Sequence, residues 1–313
     1  MSKKVAVIGS GPSSVIVATT LKQKGIEVKI FEKEEKLGGL LRYGIPDFRL
    51  DRNDLDKSLE TRLQNIEYQT SCELGKDIHL SDLRNEYDAI YLGIGANEGI
   101  INLSGNNILS ANQLLLEYNR NKNVEYYTNM FKDKKVFVNG GGNVAMDVSR
   151  TIARLGGNVE ILYRRSVEEM PAKDSERKES EEDGVKIKYL TNILEVNDGK
   201  IRTIKTQLVK KENEDRLSPV NIEGTEEDLD YDYLVLAIGA RTNKELLTNE
   251  GLEVNEKGFI KVNENCQTNF EDVFAGGDIL GETATIQHAT MSGIKAANSI
   301  IKFLGAQAKK PTE

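Results

Sequence analysis

The sequence predicts an α/β protein with two doubly wound parallel sheets, and two observations support this fold class. The first is a duplication: an apolar strand, a glycine-rich turn and an amphipathic helix occupy residues 5–24 and again residues 136–155. The second is a matching pair of apolar runs at 87–96 and 231–240, each ending in a small-residue turn. Such runs are typical of parallel strands that are buried on both faces.

Each duplicated segment leads into a second predicted strand, at 27–32 in the first copy and at 158–163 in the second. The last part of the chain adds a strand at 273–275, a Gly-Gly-Asp turn at 276–278 and a helix from about Gln287 to Phe303. Two units of similar plan therefore stand in tandem, and a shorter tail follows them.

The order of these segments predicts that the middle region is inserted into a domain made from the two ends of the chain. We expect boundaries near Ser104 and Asn243, which divide the chain into segments 1–104, 105–243 and 244–313. The charged stretch 211–216 is expected to be a solvated hairpin tip, and 307–313 a frayed end.

Composition limits the classes of protein that the chain can belong to. With 313 residues, 38% hydrophobic and 29% charged, it is typical of a globular protein of two ordinary domains. A net charge of -8 disfavours nucleic acid as a partner. No apolar run reaches the roughly 20 residues that a membrane helix needs, and the first residues lack a secretory apolar region. We therefore expect a cytoplasmic protein.

Cysteine usage agrees with a reducing compartment. Cys72 and Cys266 are the only cysteines of the sequence, and they are far apart. Two such residues exclude a disulfide framework, a CxxC redox pair and an iron–sulfur cluster held by cysteines of this chain alone.

The first glycine turn has the sequence context of a dinucleotide site. Gly9 and Gly11 follow a predicted strand and open a helix, and Glu32 ends the second strand 23 residues after Gly9. The first glycine permits the turn, the second lets the backbone approach a pyrophosphate, and the acid binds a free ribose hydroxyl. Ser14 stands where a third Gly or Ala is usual. A plain tight turn in an α/β protein is the alternative reading.

The second glycine turn lacks the acid. The position 23 residues after Gly140 is Tyr163, and Arg164 and Arg165 follow it. A carboxylate there would repel a 2′-phosphate, whereas a guanidinium binds phosphate bidentately. The sequence therefore favours NADP(H) over NAD(H) at this turn, and a solvated arginine pair is the alternative. Because Glu32 suits the unphosphorylated ribose of FAD, we predict two different dinucleotides in two Rossmann-like nucleotide-binding domains.

Longer motifs extend these two sites. They are GGLLRYGIPDFRL at 38–50, GGGNVAMD at 140–147, YRRS at 163–166, EMPA at 169–172 and VFAGGD at 273–278. In this order they resemble the small (β) subunit of NADPH-dependent glutamate synthase, a module also found in dihydropyrimidine dehydrogenase and in the NADPH-side subunit of electron-bifurcating transhydrogenases. The resemblance covers the chain from Val5 to about Ile301.

The resemblance and the glycine turns together assign cofactor-binding residues. For FAD these are Gly9, Gly11, Pro12, Ser13, Ser14, Glu32, Lys33, Gly39, Leu40, Arg42, Pro46, Gly95, Gly277, Asp278, Thr285, Ile286 and Gln287. For NADP(H) they are Gly140, Gly141, Gly142, Asn143, Val144, Arg164, Arg165 and Gly239. The resemblance implies that Asp278 hydrogen-bonds the ribityl or pyrophosphate region. It also implies that the last helix points its N-terminus at the pyrimidine end of the flavin, where reduction adds negative charge.

The implied reaction is hydride transfer from NADPH to FAD. This chemistry needs alignment of two rings and no acid, base or nucleophile from the protein, so we expect no catalytic side chain and no metal. His79 and His288 lack the spacing of metal ligands, and surface or packing roles are expected for both.

The family implies an N-terminal cysteine-bearing helical domain that this sequence does not include. We therefore expect FAD to pass its electrons to a larger electron-accepting subunit or to another iron–sulfur or flavin protein; a homo-oligomer is also compatible with the sequence. A stand-alone ferredoxin- or quinone-type reductase is one alternative, and a non-catalytic electron-transfer subunit is another. Thioredoxin reductase is disfavoured because its CxxC is missing.

Overall fold

The computed structural model describes residues 2–197, 199–211, 216–282 and 284–307. Most of the expected hairpin tip (212–215) and frayed end (308–313) lies outside these residues. The chain divides into two compact units, which we call unit 1 (the described residues of 1–43, 47–98 and 241–313) and unit 2 (44–46 and the described residues of 99–240). The chain passes between them at 98/99 and 240/241, slightly earlier than the boundaries expected near Ser104 and Asn243.

The secondary structure alternates as the sequence predicts. The strands are β1 (Lys4–Ile8), β2 (Glu27–Phe31), β3 (Glu67–Gln69), β4 (Ala89–Leu92), β5 (Glu98–Gly99), β6 (Ile108–Ser110), β7 (Lys135–Asn139), β8 (Asn158–Leu162), β9 (Lys186–Lys188), β10 (Thr191–Asn197), β11 (Lys200–Val209), β12 (Ser218–Asn221), β13 (Glu227–Asp230), β14 (Tyr233–Leu236), β15 (Ala240–Arg241) and β16 (Val273–Ala275). The helices are α1 (Pro12–Gln23), α2 (Leu40–Tyr43), α3 (Arg52–Arg62), α4 (Leu80–Glu86), α5 (Ala111–Asn121), α6 (Val124–Phe131), α7 (Asn143–Arg154), α8 (Asp174–Glu182), α9 (Lys244–Asn249) and α10 (Ile286–Gln307), with a 3₁₀ turn at Asp278–Leu280.

Unit 1 has a five-stranded parallel sheet in the order β16-β4-β1-β2-β3. Its central strands are buried on both faces: Val5, Ala6, Val7, Ile90 and Tyr91 are all 0% exposed. The near-continuous apolar runs of the sequence arise from this burial. Helices α1 and α10 pack together on the cluster that includes Val17, Leu21, Ala297 and Ile300.

Unit 2 repeats the plan with a sheet in the order β6-β14-β7-β8-β9, again parallel. The doubly wound α/β class is therefore confirmed for both units. The strand beside β14 comes from earlier in the chain, whereas the strand beside β4 in unit 1 comes from near its end. Unit 1 is consequently assembled from chain segments on both sides of unit 2.

Unit 2 also has an antiparallel sheet of β10, β11, β12 and β13, whose residues come between β9 and β14 in the sequence. The sequence reading did not predict this sheet. Strand β11 carries an alternation of buried and exposed side chains over part of its length, with Ile201 buried, Arg202 exposed and Thr203 buried. That period of two is the signal of a strand with one solvated face.

None of the helices in the described part of the chain combines the length and apolarity needed to cross a membrane.

Candidate nucleotide-binding sites

The turn after β1 requires glycine at its first position. Gly9 has a φ of +91°, and a Cβ added to it would lie 2.5 Å from the carbonyl oxygen of Gly93. Its N–H donates to the carbonyl of Phe31 at 2.7 Å, which fixes the turn against the end of β2. Both the backbone conformation and the close approach therefore exclude a larger residue.

The start of α1 faces open space. Gly11 is the N-cap in an extended conformation, with Pro12 at the first helical position, and no described side chain caps the helix. A Cβ on Gly11 would meet nothing within 4 Å, whereas a Cβ on Gly39 would lie 2.9 Å from the Cα of Gly11. Gly39 thus backs the turn, and the free N–H groups of the helix start are left for an anion.

Glu32 is buried directly beyond the end of β2, with 4% of its surface exposed. Its carboxylate accepts hydrogen bonds from the Ser10 hydroxyl and from the Glu34 N–H at 2.9 Å. Ser10 in turn accepts from the Gly38 N–H at 2.9 Å. Burial raises the pKa of Glu32, and the two hydrogen bonds oppose that rise. An ionised carboxylate has about four acceptor positions, so it can still accept from a ribose hydroxyl.

The turn after β16 meets the same helix start. Gly277 has a φ of +81°, and a Cβ there would lie 2.7 Å from the Ser13 hydroxyl. The Gly277 N–H donates to the Ser292 hydroxyl at 2.7 Å. Asp278 follows and is partly buried, and its carboxyl has no hydrogen-bond partner within the described ranges. Burial raises the pKa of Asp278, and the nearby His288 opposes this.

Helix α10 begins at Ile286, close to the predicted start. Thr285 precedes it and accepts a hydrogen bond from the His288 N–H at 3.1 Å, and Ile286 and Gln287 are exposed. The His288 ring lies 3.2 Å from a carboxylate oxygen of Glu282. Further along, a Cβ on Gly293 would lie 2.6 Å from the carbonyl oxygen of Ser13, so α10 crosses closely over α1.

Other predicted FAD residues have different surroundings. Arg42 lies on α2 and is buried, and its guanidinium donates to the Leu37 carbonyl at 2.6 Å and pairs with Asp56. Its side chain therefore serves contacts within the protein. The remaining positions lie along the chain as follows: Ser14 is buried in α1, Lys33 is exposed after Glu32, Leu40 is partly buried on α2, Pro46 is buried in the short stretch assigned to unit 2, and Gly95 follows β4 with a φ of +73°.

The turn after β7 in unit 2 has the geometry of the first. Gly140 has a φ of +148°, and a Cβ there would lie 2.4 Å from the carbonyl oxygen of Ala237. Gly142 is the extended N-cap of α7, and a Cβ on it would meet nothing within 4 Å. Of the next two residues, Asn143 is exposed and Val144 is partly buried. This helix start is as open as that of α1.

Tyr163 takes the place that Glu32 holds in unit 1. Its ring lies against the second turn, because a Cβ on Gly141 would come within 2.5 Å of it. Its hydroxyl donates to the carbonyl of Glu169 at 2.8 Å. Gly141 is thus required by the tyrosine ring, a constraint that the sequence reading did not foresee.

The structure distinguishes the two arginines. Arg164 is exposed, whereas Arg165 is partly buried and its Nε donates to the Leu217 carbonyl at 3.0 Å. The backbone of both is held by hydrogen bonds: the Thr206 hydroxyl on β11 donates to the Arg164 carbonyl at 2.8 Å, and the Leu190 N–H, just before β10, donates to the Arg165 carbonyl at 3.1 Å. Gly239, the last predicted residue, follows β14 with a φ of +117°.

Two polar residues of unit 1 were missed. Ser10 joins Glu32 to the Gly38 segment, and its position between the two glycines of the turn was the available signal. Asn97 follows β4, and its buried Oδ1 has no hydrogen-bond partner in the described parts of the chain. No sequence pattern marked it.

Comparison with known proteins identifies a matching family and several relatives. The family model described as pyridine nucleotide-disulphide oxidoreductase matches residues 3–293. The chain is 32% identical to the small chain of NADPH-dependent glutamate synthase from Escherichia coli, over 96% of this chain and 69% of that protein. It is 33% identical to the beta subunit of an NADP(+)-dependent formate dehydrogenase from Moorella thermoacetica, over 99% of this chain but only 45% of that protein.

Solved structures share the fold. Mycobacterium tuberculosis FprA in complex with NADPH matches 100% of this chain with a TM-score of 0.84 at 18% identity, over 87% of its own length. Thioredoxin reductase from T. acidophilum matches 98% of this chain and its own full length with a TM-score of 0.67 at 17% identity. At these identities the two matches show the fold alone.

Proposed function

This chain belongs to the pyridine nucleotide-disulphide oxidoreductase family, in the group of the glutamate synthase small chains, and we propose that unit 2 binds NADPH while unit 1 holds the FAD that it reduces. The family and its relatives make the chain an FAD-dependent NAD(P)H oxidoreductase. The observation that carries the division between the units is the pair of equivalent strand ends, Glu32 in one and Tyr163 with Arg164 in the other.

The residues of unit 1 fit FAD. The open start of α1 at Gly11 suits the pyrophosphate, whose charge the helix N-terminus stabilises. Glu32 lies where it would accept from the ribose of the AMP half. Asp278, partly buried without a partner of its own in the described residues, would bind the ribityl chain, and the start of α10 at Ile286 would face the flavin.

The residues of unit 2 fit NADP(H). Gly140 and Gly142 give α7 the same open start, and Arg164 is exposed at the strand end with no carboxylate in the position of Glu32. A guanidinium there favours a 2′-phosphate. Tyr163 offers a ring surface and no charge, so it does not oppose the phosphate.

The protein's part in the reaction is to bind and align. When bound, FAD accepts the hydride that the nicotinamide of NADPH carries, so the redox chemistry belongs to the cofactors. The side chains hold each dinucleotide by its phosphates and ribose, and no acid or base among them is needed.

Anaerobic stopped-flow mixing tests the proposal. The FAD-loaded protein is mixed with NADPH and, separately, with NADH, and the flavin absorbance is followed. We expect NADPH to bleach the flavin at concentrations at which NADH barely does. Bleaching by neither nucleotide would contradict the oxidoreductase activity, and a preference for NADH would contradict the assignment of Arg164.

We propose that the electrons pass to a larger subunit that carries a flavin or iron–sulfur cluster. In support, two of its relatives are named as a small chain and a beta subunit, and this chain has only Cys72 and Cys266, both free and buried. These buried thiols are also consistent with the cytoplasmic location that we propose.

Affinity purification of the tagged chain from its native cells tests the partner. Recovery of a stoichiometric protein that contains iron or flavin, and that is reduced by NADPH only through this chain, is the expected result. Recovery of the chain alone, active with a small diffusible acceptor, would favour the stand-alone reductase.

A further inference from the structure

The end of β8 is bordered by side chains of the antiparallel sheet. The Arg164 carbonyl accepts a hydrogen bond from the Thr206 hydroxyl on β11, and the Arg165 carbonyl accepts one from the Leu190 N–H, just before β10. The Arg165 side chain also donates to the carbonyl of Leu217, the residue that follows Arg216. Arg216 is therefore the chain neighbour of the residue that accepts from Arg165, although it lies far from Arg165 in the sequence.

The Arg216 guanidinium lies at the strand end itself. Its Nη2 donates to the backbone carbonyl of Glu169, and the Tyr163 hydroxyl donates to the same oxygen. The Tyr163 ring lies against Gly141 in the second glycine turn. Two donors on one oxygen place the charge of Arg216 next to Tyr163, at the edge of the proposed nucleotide site.

The counter-ion of Arg216 is loosely held. The Arg216 Nε lies 3.5 Å from the Glu169 carboxylate, and the Arg216 side chain is 52% exposed. The Glu169 side chain is 21% exposed, so this partly solvated pair contributes modest stability. A phosphate dianion carries more charge and offers three oxygens, so it is the stronger partner for a guanidinium.

We propose that Arg216 is a third cation of the 2′-phosphate subsite in unit 2, and that Glu169 weakens phosphate binding because it competes for Arg216. This inference rests on the proposed function, which places NADPH in unit 2. It assigns opposite effects to the two members of one ion pair.

The test measures binding of two probes, adenosine 2′,5′-bisphosphate and 5′-AMP, to the full-length protein by calorimetry. The probes differ only in the 2′-phosphate, and neither needs a redox reaction. For Arg216→Ala we expect the bisphosphate affinity to fall about tenfold, as for the loss of one charge-assisted hydrogen bond, with 5′-AMP unchanged. For Glu169→Gln we expect the bisphosphate to bind about two- to fivefold more tightly, because Arg216 is released from its carboxylate.

A purely structural ion pair would make both variants shift in the same direction or not at all, and that result would overturn the inference. Arg216→Lys, which keeps the charge, is expected to retain most of the affinity. Arg202→Ala is the matched control, because Arg202 is an exposed arginine on β11 of the antiparallel sheet. Thermal unfolding of each variant separates loss of binding from loss of fold.

Arg164→Ala separates this inference from the proposed function. If Arg164→Ala loses bisphosphate affinity and Arg216→Ala does not, the inference is wrong and the NADPH site stands. If the wild-type protein shows no preference for the bisphosphate over 5′-AMP, the NADPH site and the inference are both wrong.

Discussion

At the first glycine turn the Gly9 N–H donates to the carbonyl of Phe31, and at the second the Gly140 N–H donates to the carbonyl of Leu162. Each glycine has a positive φ, and each has a carbonyl oxygen within 2.5 Å of the place where a Cβ would stand. Both turns lead into a helix of 12 residues. Its N-cap residue is a glycine, so no side chain of that residue caps the helix. The two turns therefore have the same backbone geometry.

The difference between the turns lies at the next strand end. The Glu32 N–H donates to Gln69 and the Tyr163 N–H donates to Lys188, so the two residues occupy equivalent positions. One side chain is a buried carboxylate, and the other is an aromatic ring followed by an exposed arginine. Under the function that we propose, the turn lets a dinucleotide bind, and the residue at the strand end selects which dinucleotide it is.

The largest expected effects come from the turn glycines. Because a Cβ would clash with backbone in both turns, we expect Gly9→Ala to lose FAD on purification while it keeps NADP+ binding. Gly140→Ala should keep FAD and lose NADP+ binding, by more than about a hundredfold in each case. Absorbance measures the flavin content of each variant, and calorimetry measures its affinity for NADP+.

Gly25→Ala and Gly184→Ala are matched controls, one in each unit. Both glycines have positive φ, +75° and +85°, but a Cβ on either would meet nothing within 4 Å. They should cost about 1–2 kcal/mol of stability with both cofactors retained. If they abolish binding as well, conformational strain and not the close approach explains the turns.

An intermediate effect is expected at Glu32. Burial raises the pKa of this carboxyl above its ordinary value of 4.5, so its ionised form destabilises the folded protein, and this penalty grows as the pH rises above that value. Glu32→Gln removes the charge. We therefore expect about tenfold weaker FAD binding, with FAD-free protein at least as stable as wild type at pH 7 and with the advantage lost below pH 4.5.

Urea titrations of FAD-free protein across this pH range measure the free energy of unfolding, and fluorescence quenching measures the affinity for FAD. Tyr163→Phe at the equivalent position is the control and should leave FAD binding unchanged. A variant that is less stable than wild type at pH 7 and unaltered in FAD affinity would mean that Glu32 is structural.

The smallest effects are expected at the starts of β1 and β7, the strands that lead into the two glycine turns. Asp88 accepts from the Lys4 N–H at 2.8 Å and pairs with the Lys3 ammonium at 2.7 Å, whereas Asp232 makes the equivalent backbone bond at 2.8 Å but lies 3.4 Å from the Lys134 ammonium. Burial alone would raise the pKa of Asp88, but the hydrogen bonds from lysine outweigh it and hold the pKa below 3.8.

Asp88 therefore stabilises the fold above pH 3.8, and this contribution is lost as the pH falls through its lowered pKa. We expect Asp88→Asn to cost up to about 1 kcal/mol at neutral pH and nothing in strong acid, with Asp232→Asn costing less. Chemical denaturation at both pH values measures this. A larger cost for Asp232→Asn would contradict the explanation by the lysine distances, 2.7 Å at Asp88 and 3.4 Å at Asp232.

The sequence predicted the parts of this protein that depend on the local backbone. The two strand–turn–helix units, the strand ends and the start of α10 were readable because parallel strands and glycine turns leave a local pattern. The positions of Glu32 and Tyr163 were also readable, since a fixed offset from the turn locates them.

Other features depended on contacts between distant residues. The role of Arg42 in FAD binding stays a prediction, and its guanidinium pairs with Asp56, a partner that no spacing rule identifies. Gly141 was predicted to bind NADP(H), and the close contact of the Tyr163 ring with it could not be read from the sequence. The antiparallel sheet was missed because only part of β11 shows the alternation of a half-exposed strand.

The interruption of unit 1 by unit 2 has a consequence for the order of synthesis. Every strand of unit 2 has been translated when residue 240 is added, whereas the sheet of unit 1 still lacks β16 and its covering helix α10. Domains fold as units while the chain emerges from the ribosome. The inserted unit is thus ready to fold first, and the sheet and helices of the host unit can be completed only after α10 has emerged.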